Sequence, residues 1–201
     1  MEYRLRIPIP ESDVRKLKIG DIVYVTGTMV TARDQAHRRA LALHKEGKPI
    51  PIDLRGGVVF HCGPVVKKKD GGWEIVAAGP TTSTRMELFQ AEFIEAFRPS
   101  IIVGKGGMGP KTAEAMKKFG AVYCDFTGGA AVLAAKAVER VRGVEWFELG
   151  IPEAMWILEV KDFGPLLVTI DSHGNSHHAN VAKIVEENRP KIYSMLGITS
   201  K

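Results

Sequence analysis

Hydroxyl and cationic side chains cluster at two places in the middle of the chain. The first is the run Gly79–Met86, which reads Gly-Pro-Thr-Thr-Ser-Thr-Arg-Met. The second is Gly104–Met108, which reads Gly-Lys-Gly-Gly-Met and places Lys105 20 residues after Arg85. Each run follows an apolar stretch typical of a strand and precedes a helical pattern. Hydroxyls, a guanidinium and an ammonium in such turns can hold a small anion and move a proton beside it. The pattern therefore indicates small-molecule chemistry.

The glycines around Lys105 also match the dinucleotide-binding pattern G-x-G-x-x-G, at Gly104, Gly106 and Gly109. The run follows a predicted strand and precedes a predicted helix that opens with Pro110, which is the context such a fingerprint requires. Binding of a nicotinamide or flavin dinucleotide is therefore an alternative. A tight turn would explain the glycines but not Lys105, because a lysine at a strand end beside free backbone N–H groups suits a carboxylate or phosphate.

Two arginines are candidate ligand contacts. Arg85 follows four hydroxyl residues, although one hydroxyl is enough to cap a helix. Its positive charge in a first turn opposes the helix dipole, and an anionic ligand would explain that placement. Arg33 stands beside Asp34 at the start of another predicted helix, where it could be a ligand contact or half of an exposed ion pair.

Two other clusters have simpler explanations. The histidines at 173, 177 and 178 have a spacing that could seat a metal ion, but a zinc site needs a further ligand or water. Asp171 and Asn175 favour a turn with a helix cap in that segment. Lys67–Lys69 is followed by Asp70-Gly71-Gly72, which is typical of a solvated hairpin tip rather than a nucleic-acid patch.

Composition limits the class of protein. The chain has 201 residues, 45% of them hydrophobic and 25% charged, which suits one domain over residues 1–201. It has no apolar run of roughly 18–20 residues and no signal-peptide pattern, so we expect a cytoplasmic protein without membrane contact. The net charge of +5 suits an anionic substrate. Cys62 and Cys124 cannot by themselves ligate an iron–sulfur cluster, so another chain would have to hold most of any cluster nearby.

The apolar patterns predict an α/β fold with a β-rich flank followed by strand–helix–strand units. Strands are expected over residues 21–30, 57–62, 73–78, 100–103, 121–124, 144–147, 155–160 and 166–170. Helices are expected over residues 33–45, 86–97, 110–119, 128–141 and 175–196, the last interrupted at Pro190. The strands at 57–62 and 73–78 are expected to join across the lysine-rich tip. Strand ends meet helix starts at both chemical motifs, which is where α/β sheets form their sites.

Taken together, these features resemble the β subunit of class I fumarate hydratases and the related β subunit of L-tartrate dehydratases. The resemblance lies in Gly27-Thr28, Ala32–Asp34, Gly63-Pro64, Gly79–Met86, Gly104–Met108, Glu153–Trp156 and Asp171–Asn175. It covers nearly the whole chain in order. It implies a swivelling β/β/α domain that forms half of an enzyme. It also implies a partner α subunit that holds an oxygen-sensitive [4Fe-4S] cluster on three cysteines, with no cluster bound by this chain alone.

The resemblance further implies a role for each candidate residue. Thr81 matches the proposed catalytic base, Arg85 and Lys105 match carboxylate-binding residues, and Arg33 matches a third substrate contact. The implied reaction is the reversible hydration of fumarate to (S)-malate, at a site shared with the α subunit in a hetero-oligomer. Three alternatives stay open: dehydration of L-tartrate to oxaloacetate, a dinucleotide-binding module and a non-catalytic regulatory domain.

Overall fold

The structure is a computed structural model, and it describes residues 1–198 as a mixture of helices and strands. The last three residues of the predicted domain lie outside the described residues. Within residues 1–198 the strands are β1 (Glu2–Arg6), β2 (Ile22–Thr31), β3 (Val58–Phe60), β4 (Val65–Lys69), β5 (Gly72–Ala77), β6 (Ile101–Gly104), β7 (Val122–Asp125), β8 (Val138–Glu145) and β9 (Met155–Ile170). The helices are α1 (Glu11–Val14), α2 (Asp34–Lys45), α3 (Glu87–Phe97), α4 (Pro110–Phe119), α5 (Ala131–Lys136) and α6 (His177–Met195), with 3-10 turns at Ser83–Met86 and Phe147–Leu149.

Five strands form a closed ring. β2, β3, β6 and β7 are parallel neighbours in that order. β9 then runs antiparallel to both β7 and β2, which closes the ring. β1 extends the sheet beside β2 and β8 extends it beside β9, while β4 and β5 form a separate hairpin. The α/β class predicted from the sequence is confirmed, and the ring closure explains how short strands avoid open edges.

The short parallel strands β3, β6 and β7 are buried on both faces. In β3, Val58 and Phe60 belong to one hydrophobic cluster, and Val59 between them belongs to a second cluster. In β7, Cys124 belongs to the first cluster and Tyr123 to the second. The second cluster contains residues of α2, α3 and α4, so these helices cover one face of the parallel strands. Near-continuous apolar sequence in these strands follows from burial on both sides.

The lysine-rich tip is a hairpin, but its strands differ from the prediction. β4 and β5 pair across it, whereas the predicted strand at 57–62 is β3 of the ring. Asp70 and Gly71 have φ of 50° and 78°, the backbone that a tight two-residue hairpin turn requires. Val58–Phe60 is apolar and fully buried, which suits a ring strand better than a solvated hairpin.

The predicted helix at 128–141 is wrong in its second half. α5 ends at Lys136, and β8 starts at Val138 and pairs antiparallel with β9. Val138, Val141 and Val144 are β-branched and pack against the first hydrophobic cluster. Pairing with a long neighbouring strand outweighs local helix propensity here. The predicted strand at 144–147 is only the end of β8.

Two C-terminal elements are continuous where interruptions were expected. The predicted strands at 155–160 and 166–170 form the single strand β9. The predicted break at Pro190 is also wrong, because α6 runs through that residue. A proline removes one amide donor, and the hydrogen bonds before and after it can persist. No helix within residues 1–198 is both long enough and apolar enough to cross a membrane.

Candidate functional site

The candidate residues follow the C-terminal ends of the parallel strands. Arg33 comes two residues after β2, His61 directly after β3, and Lys105 directly after β6, while Asp125 is the last residue of β7. Because these strands are parallel neighbours, their ends share one side of the ring. We refer to this side as the C-terminal edge, and to the side where the same strands begin as the N-terminal edge. The C-terminal edge brings the two sequence motifs together.

Backbone hydrogen bonds join the hydroxyl motif to the lysine motif. Thr82 and Lys105 form a parallel β-bridge, and the Ser83 amide donates to the Lys105 carbonyl oxygen at 2.9 Å. The Thr81 amide donates to the His61 carbonyl oxygen at 2.6 Å. Thr81 is half-buried and Lys105 is exposed. The candidate base and the candidate ammonium are therefore held on adjacent backbone segments.

The two arginines each have a carboxylate partner. Nη2 of Arg85 lies 2.5 Å from Oδ2 of Asp34 in the first turn of α2. Nε of Arg33 lies 3.2 Å from Oε1 of Glu153, close enough for an ion pair although not aligned as a hydrogen bond. The Arg33 side chain is 20% exposed, against 50% for Arg85. Asp34 is the first residue of α2, and Arg33 comes directly before it. The guanidinium groups of Arg85 and Arg33 therefore both lie near the start of α2.

Lys105 differs from the arginines in its charge environment. Within residues 1–198 no carboxylate lies within ion-pair distance of its Nζ. Its aliphatic chain lies close to Gly128, whose missing Cβ would be 3.6 Å from Cδ. An exposed ammonium that is not held in an ion pair within residues 1–198 can attract an anion to the C-terminal edge.

Side chains of this protein fill the space beside the glycines of the glycine-rich turn. A Cβ on Gly104 would lie 1.8 Å from Oγ of Ser83, and one on Gly107 would lie 2.5 Å from the His178 ring. The Glu87 carboxylate accepts from the Gly109 amide at 2.7 Å and from the Thr112 hydroxyl at 2.6 Å. It thus caps the N-terminus of α4, where a dinucleotide would place its pyrophosphate. The geometry disfavours the dinucleotide alternative.

A network of buried polar side chains lies beneath the C-terminal edge. We call it the polar network, and its members are His37, His61, Ser83, Gln90 and Tyr123. Each side chain is shielded from solvent, with exposed fractions of 0%. Oγ of Ser83 lies 2.8 Å from Nδ1 of His61 and 2.9 Å from the Tyr123 hydroxyl. Nε2 of His61 lies 2.9 Å from Oε1 of Gln90, and Nδ1 of His37 lies 2.8 Å from the Arg33 carbonyl oxygen. The network therefore touches the backbone beside every sequence motif of the candidate site.

Burial fixes the protonation of this network. It lowers the pKa of His37 from 6.5 to about 4, although the bond to the Arg33 carbonyl opposes the shift. Burial, together with the neighbouring His37, lowers the pKa of His61 well below its usual value. Burial also raises the pKa of Tyr123 far above its usual value. At neutral pH these groups are uncharged, so they act through hydrogen bonds and not through charge.

The neutral state of His61 sets the direction of its hydrogen bonds. The amide oxygen of Gln90 can only accept, so Nε2 of His61 carries the proton. Nδ1 is then an acceptor, and the Ser83 hydroxyl donates to it. Ser83 in turn accepts from the Tyr123 hydroxyl. The side chains of Tyr123, Ser83 and His61 therefore have compatible hydrogen-bond partners, whereas Nε2 of Gln90 has none within residues 1–198.

The two thiols are not suited to binding a cluster. Cys62 follows β3 and Cys124 lies in β7, and both are free and buried. Burial raises the pKa of Cys62 to about 12, with Arg33 opposing the shift, and raises the pKa of Cys124 further. A metal or cluster binds the thiolate, which these sites disfavour. Within residues 1–198 no group of three metal-binding side chains is present.

The C-terminal histidines are directed to different parts of the protein. Nε2 of His173 lies 3.0 Å from the Arg15 carbonyl oxygen. Nε2 of His178 lies 2.7 Å from Oδ2 of Asp125. The Asp171 carboxylate accepts from backbone amides of its own turn, as the turn interpretation predicts. These contacts favour structural roles for His173 and His178 over a shared metal.

Several residues of the site were not recognised from the sequence. The sequence alone does not show the arginine partners of Asp34 and Glu153, and it presents Ser83 only as one hydroxyl among four. It assigns no role to His61, because the contacts of that ring with Ser83, Gln90 and His37 form only in the folded chain. A polar residue inside an otherwise apolar strand, such as Tyr123 in β7, was the available hint.

Comparison with known proteins identifies the family. The model of the Fumarase C-terminus family matches residues 2–181. The L(+)-tartrate dehydratase subunit beta of Escherichia coli K12 is 49% identical over 192 residues, which are 96% of this chain and 94% of that protein. A Methanocaldococcus jannaschii protein provisionally named as the same subunit is 44% identical over 199 residues, 98% of this chain and all of that protein. A Geobacillus stearothermophilus protein provisionally named as a class I fumarate hydratase is 47% identical over 180 residues, 89% of this chain and 34% of that protein.

These relatives carry the names of enzymes that add or remove water: two are named as a subunit beta, and the third is a longer protein of which the match covers 34%. The match to the family model covers most of the chain, and the relatives match it almost from end to end. On this basis the chain belongs to the Fumarase C-terminus family.

Proposed function

We propose that this chain is the β subunit of a two-subunit hydro-lyase that interconverts fumarate and (S)-malate. The observation that carries the proposal is the C-terminal edge, where Thr81, Arg85, Lys105 and Arg33 are brought to one side of the ring. Among these cations, Lys105 lacks an acidic neighbour in the described part of the chain, so it is the group most available to a dicarboxylate. The family match and the names of the relatives support the reaction class.

The proposed substrate is a dianion, and the cations of this edge suit its carboxylates. Arg85 is half exposed, so part of its guanidinium remains open to a ligand while Asp34 holds the rest. A guanidinium can bind a carboxylate through two parallel hydrogen bonds, whereas an ammonium acts as a point charge. We assign Arg85 and Lys105 to one substrate carboxylate, with Arg33 as a further contact. Glu153 would then orient Arg33 and reduce its net charge.

Thr81 is the proposed base in the dehydration direction. The reaction removes a weakly acidic C–H proton beside a carboxylate, and a neutral hydroxyl is a poor base for it. Positive charge nearby favours an alkoxide, and Lys105 lies on the segment bridged to Thr82. The same charge would stabilise the negative charge that develops on the substrate.

The rest of the active site is proposed to lie in a partner. The buried thiols of this chain do not fit a set of cluster ligands. In this proposal the cysteine-bearing α subunit holds the [4Fe-4S] cluster, which supplies Lewis-acid chemistry for the departing hydroxyl. The complex is a hetero-oligomer that works in the cytoplasm.

Fumarate and L-tartrate are both candidate substrates. Two of the relatives compared above carry the tartrate dehydratase name, and one carries the class I fumarate hydratase name. Both substrates are four-carbon dicarboxylates, so the cations of the C-terminal edge would serve either. Dehydration of L-tartrate to oxaloacetate is therefore the second candidate.

The test is an anaerobic assay of this chain co-expressed with its cysteine-bearing partner, with fumarate and L-tartrate supplied separately. Fumarate turnover that requires both chains supports the proposal. Turnover of L-tartrate without turnover of fumarate would make L-tartrate the substrate in place of fumarate. Lys105→Ala is expected to raise KM about tenfold or more, with Lys111→Ala on α4 as the exposed lysine control. An intact, cluster-loaded complex inactive on both substrates would overturn the proposal.

A further inference from the structure

The polar network is built where an apolar core would otherwise continue. Its side chains lie among buried hydrophobic residues of β7, α2 and α3, and each of the five is fully buried. Burying polar groups is costly unless hydrogen bonds compensate. The Tyr123–Ser83–His61–Gln90 chain supplies those bonds within the protein. These buried bonds tie together the elements that they join, while Nε2 of Gln90 and Nε2 of His37 have no partner within residues 1–198.

Ser83 is the member that connects the network to the candidate site. Its backbone amide donates to the Lys105 carbonyl, and its hydroxyl contacts both His61 and Tyr123. Gly104 leaves the room for that hydroxyl, since a Cβ there would lie 1.8 Å from Oγ. One serine thus ties the hydroxyl motif to the lysine motif by its main chain and its side chain.

His61 makes the matching connection on the other side. Its carbonyl oxygen accepts from the Thr81 amide at 2.6 Å, and its ring is held between Ser83 and Gln90. The ring also lies edge-on to His37 at 5.2 Å, and His37 bonds the Arg33 carbonyl. Contacts of the network therefore reach the backbone of Thr81, Lys105 and Arg33.

We infer that Ser83 and His61 are positioning residues of the active site, and that their buried hydrogen bonds hold Thr81 and Lys105 in one fixed relation. This inference rests on the proposed function. Neither side chain touches the substrate, since both are fully buried beneath the edge. A displacement of about 1 Å in a reacting group can lower a rate about a hundredfold, so loss of these bonds is felt in catalysis.

The first test is Ser83→Ala in the co-expressed complex, with Ser100→Ala as the matched control. Ser100 is also buried, and its hydroxyl donates to the Ile9 carbonyl at 2.8 Å, but it lies at the N-terminal edge. We expect kcat/KM to fall tenfold or more in Ser83→Ala and to stay within twofold in Ser100→Ala, at a temperature well below both melting points. Equal effects of the two variants on kcat/KM would overturn the inference. If the Ser83→Ala complex does not assemble, the Tyr123→Phe variant is measured in its place, because it removes the hydroxyl that donates to Ser83. The same tenfold fall in kcat/KM relative to Ser100→Ala is then expected.

The second test separates positioning from acid–base chemistry at His61. In His61→Asn the side-chain oxygen can still accept from Ser83, whereas His61→Phe leaves no acceptor. We expect kcat/KM of the His61→Asn variant to be at least tenfold higher than that of the His61→Phe variant. The pH profile of the His61→Asn variant should keep the shape of the wild-type profile. Equal loss in both variants, or the disappearance of one limb of the pH profile in Asn, would overturn a positioning role.

Amide hydrogen exchange in the same complex gives a readout that does not depend on activity. The amides of Thr81 and Ser83 donate to His61 and Lys105, so both are expected to exchange about tenfold faster in Ser83→Ala. They should be unchanged in Ser100→Ala. Unchanged exchange in Ser83→Ala overturns the inference. A wild-type complex inactive on both substrates, with the expected exchange, would remove the proposed function and leave the positioning of the two motifs supported.

Discussion

The two edges of the parallel strands handle buried polar groups differently. At the N-terminal edge, buried polar side chains bond to nearby main-chain groups one by one. Ser100 donates to the Ile9 carbonyl, and Asp21 accepts from the Lys18 amide and the N-terminal ammonium. At the C-terminal edge, Ser83 and His61 bond to other side chains, and these connect several elements. The arrangement at the N-terminal edge satisfies the hydrogen bonding of single side chains. The arrangement at the C-terminal edge fixes the relative positions of the chain segments that carry the candidate catalytic and binding residues.

The largest expected effect is at Thr81, the proposed base at the C-terminal edge. Thr81→Val keeps the shape of the side chain and removes the hydroxyl. We expect kcat to fall by about 10³-fold, roughly 4 kcal/mol of transition-state stabilisation, with a much smaller change in KM. Steady-state kinetics of the anaerobic complex measure this. A Thr84→Val variant serves as the control, since that hydroxyl is exposed within the 3-10 turn. A KM effect larger than the kcat effect would make Thr81 a binding residue.

Gly104 tests the packing that distinguishes the C-terminal edge. Gly104→Ala would place its Cβ 1.8 Å from Oγ of Ser83, so the buried serine must move. Overpacking of this kind costs about 3 kcal/mol of folding free energy. Gly143→Ala is the control, because its Cβ would meet only Cδ1 of Ile157 at 3.8 Å. Chemical denaturation of both variants measures the difference, and an unperturbed Gly104→Ala would show that the serine is not confined.

The pH dependence of stability tests the neutral histidines beneath the same edge. Because the folded pKa of His37 is about 4, against 6.5 unfolded, the unfolded state binds more protons as pH falls below 6.5. Stability is therefore full above about pH 6.5 and declines until the pH reaches the folded pKa. Between pH 7 and pH 5, His37 alone accounts for about 2 kcal/mol. Denaturation curves of the wild type and His37→Gln at both pH values measure the contribution. Between these two pH values the His37→Gln variant should lose less unfolding free energy than the wild type, by the contribution of His37. Equal losses in the two proteins would mean that His37 is not buried in its neutral form.

The smallest expected effect is at the helix cap beside the glycine-rich turn. Glu87→Gln keeps the shape of the side chain but removes the negative charge at the N-terminus of α4. We expect a loss of about 1 kcal/mol in unfolding free energy and little change in kcat. Glu92→Gln on the same helix α3, where the pair with Lys45 is exposed, should change stability by less than about 0.5 kcal/mol. A large kcat effect at Glu87 would instead place the carboxylate in the active site.

Much of the fold follows from local patterns, and the errors occur where pairing with another strand decides the outcome. The strand at 21–30, the helix at 33–45 and the two strand–turn–helix motifs lie within a few residues of their predicted positions. Residues 138–141 of β8 fall within the predicted helix, because the local pattern does not show their pairing with β9. β1 was missed, although Glu2–Arg6 alternates between exposed and half-buried residues, because it needs β2 as a neighbour.

The residues of the candidate site also divide into those that the sequence pattern reveals and those that only the fold reveals. Thr81, Arg85 and Lys105 could be selected from residue type and spacing, because turns after strands expose their side chains. Their partners could not be selected that way. Asp34 meets Arg85 only after α2 packs beside the 3-10 turn, and His61 meets Ser83 only when β3 and β6 are neighbours. Roles in the active site remain predictions for all four candidate residues.

Closure of the ring has a consequence for synthesis of the protein. β2 pairs with β9, so Val30 lies opposite Ile157, and most of the chain must be made before that pairing is possible. Until then one side of an apolar strand near the start of the chain has no partner. Pairings between distant residues form slowly, because the loop between them must first be closed. Until β9 has been synthesised, this edge of β2 is therefore exposed, and exposed strand edges make folding intermediates prone to aggregation.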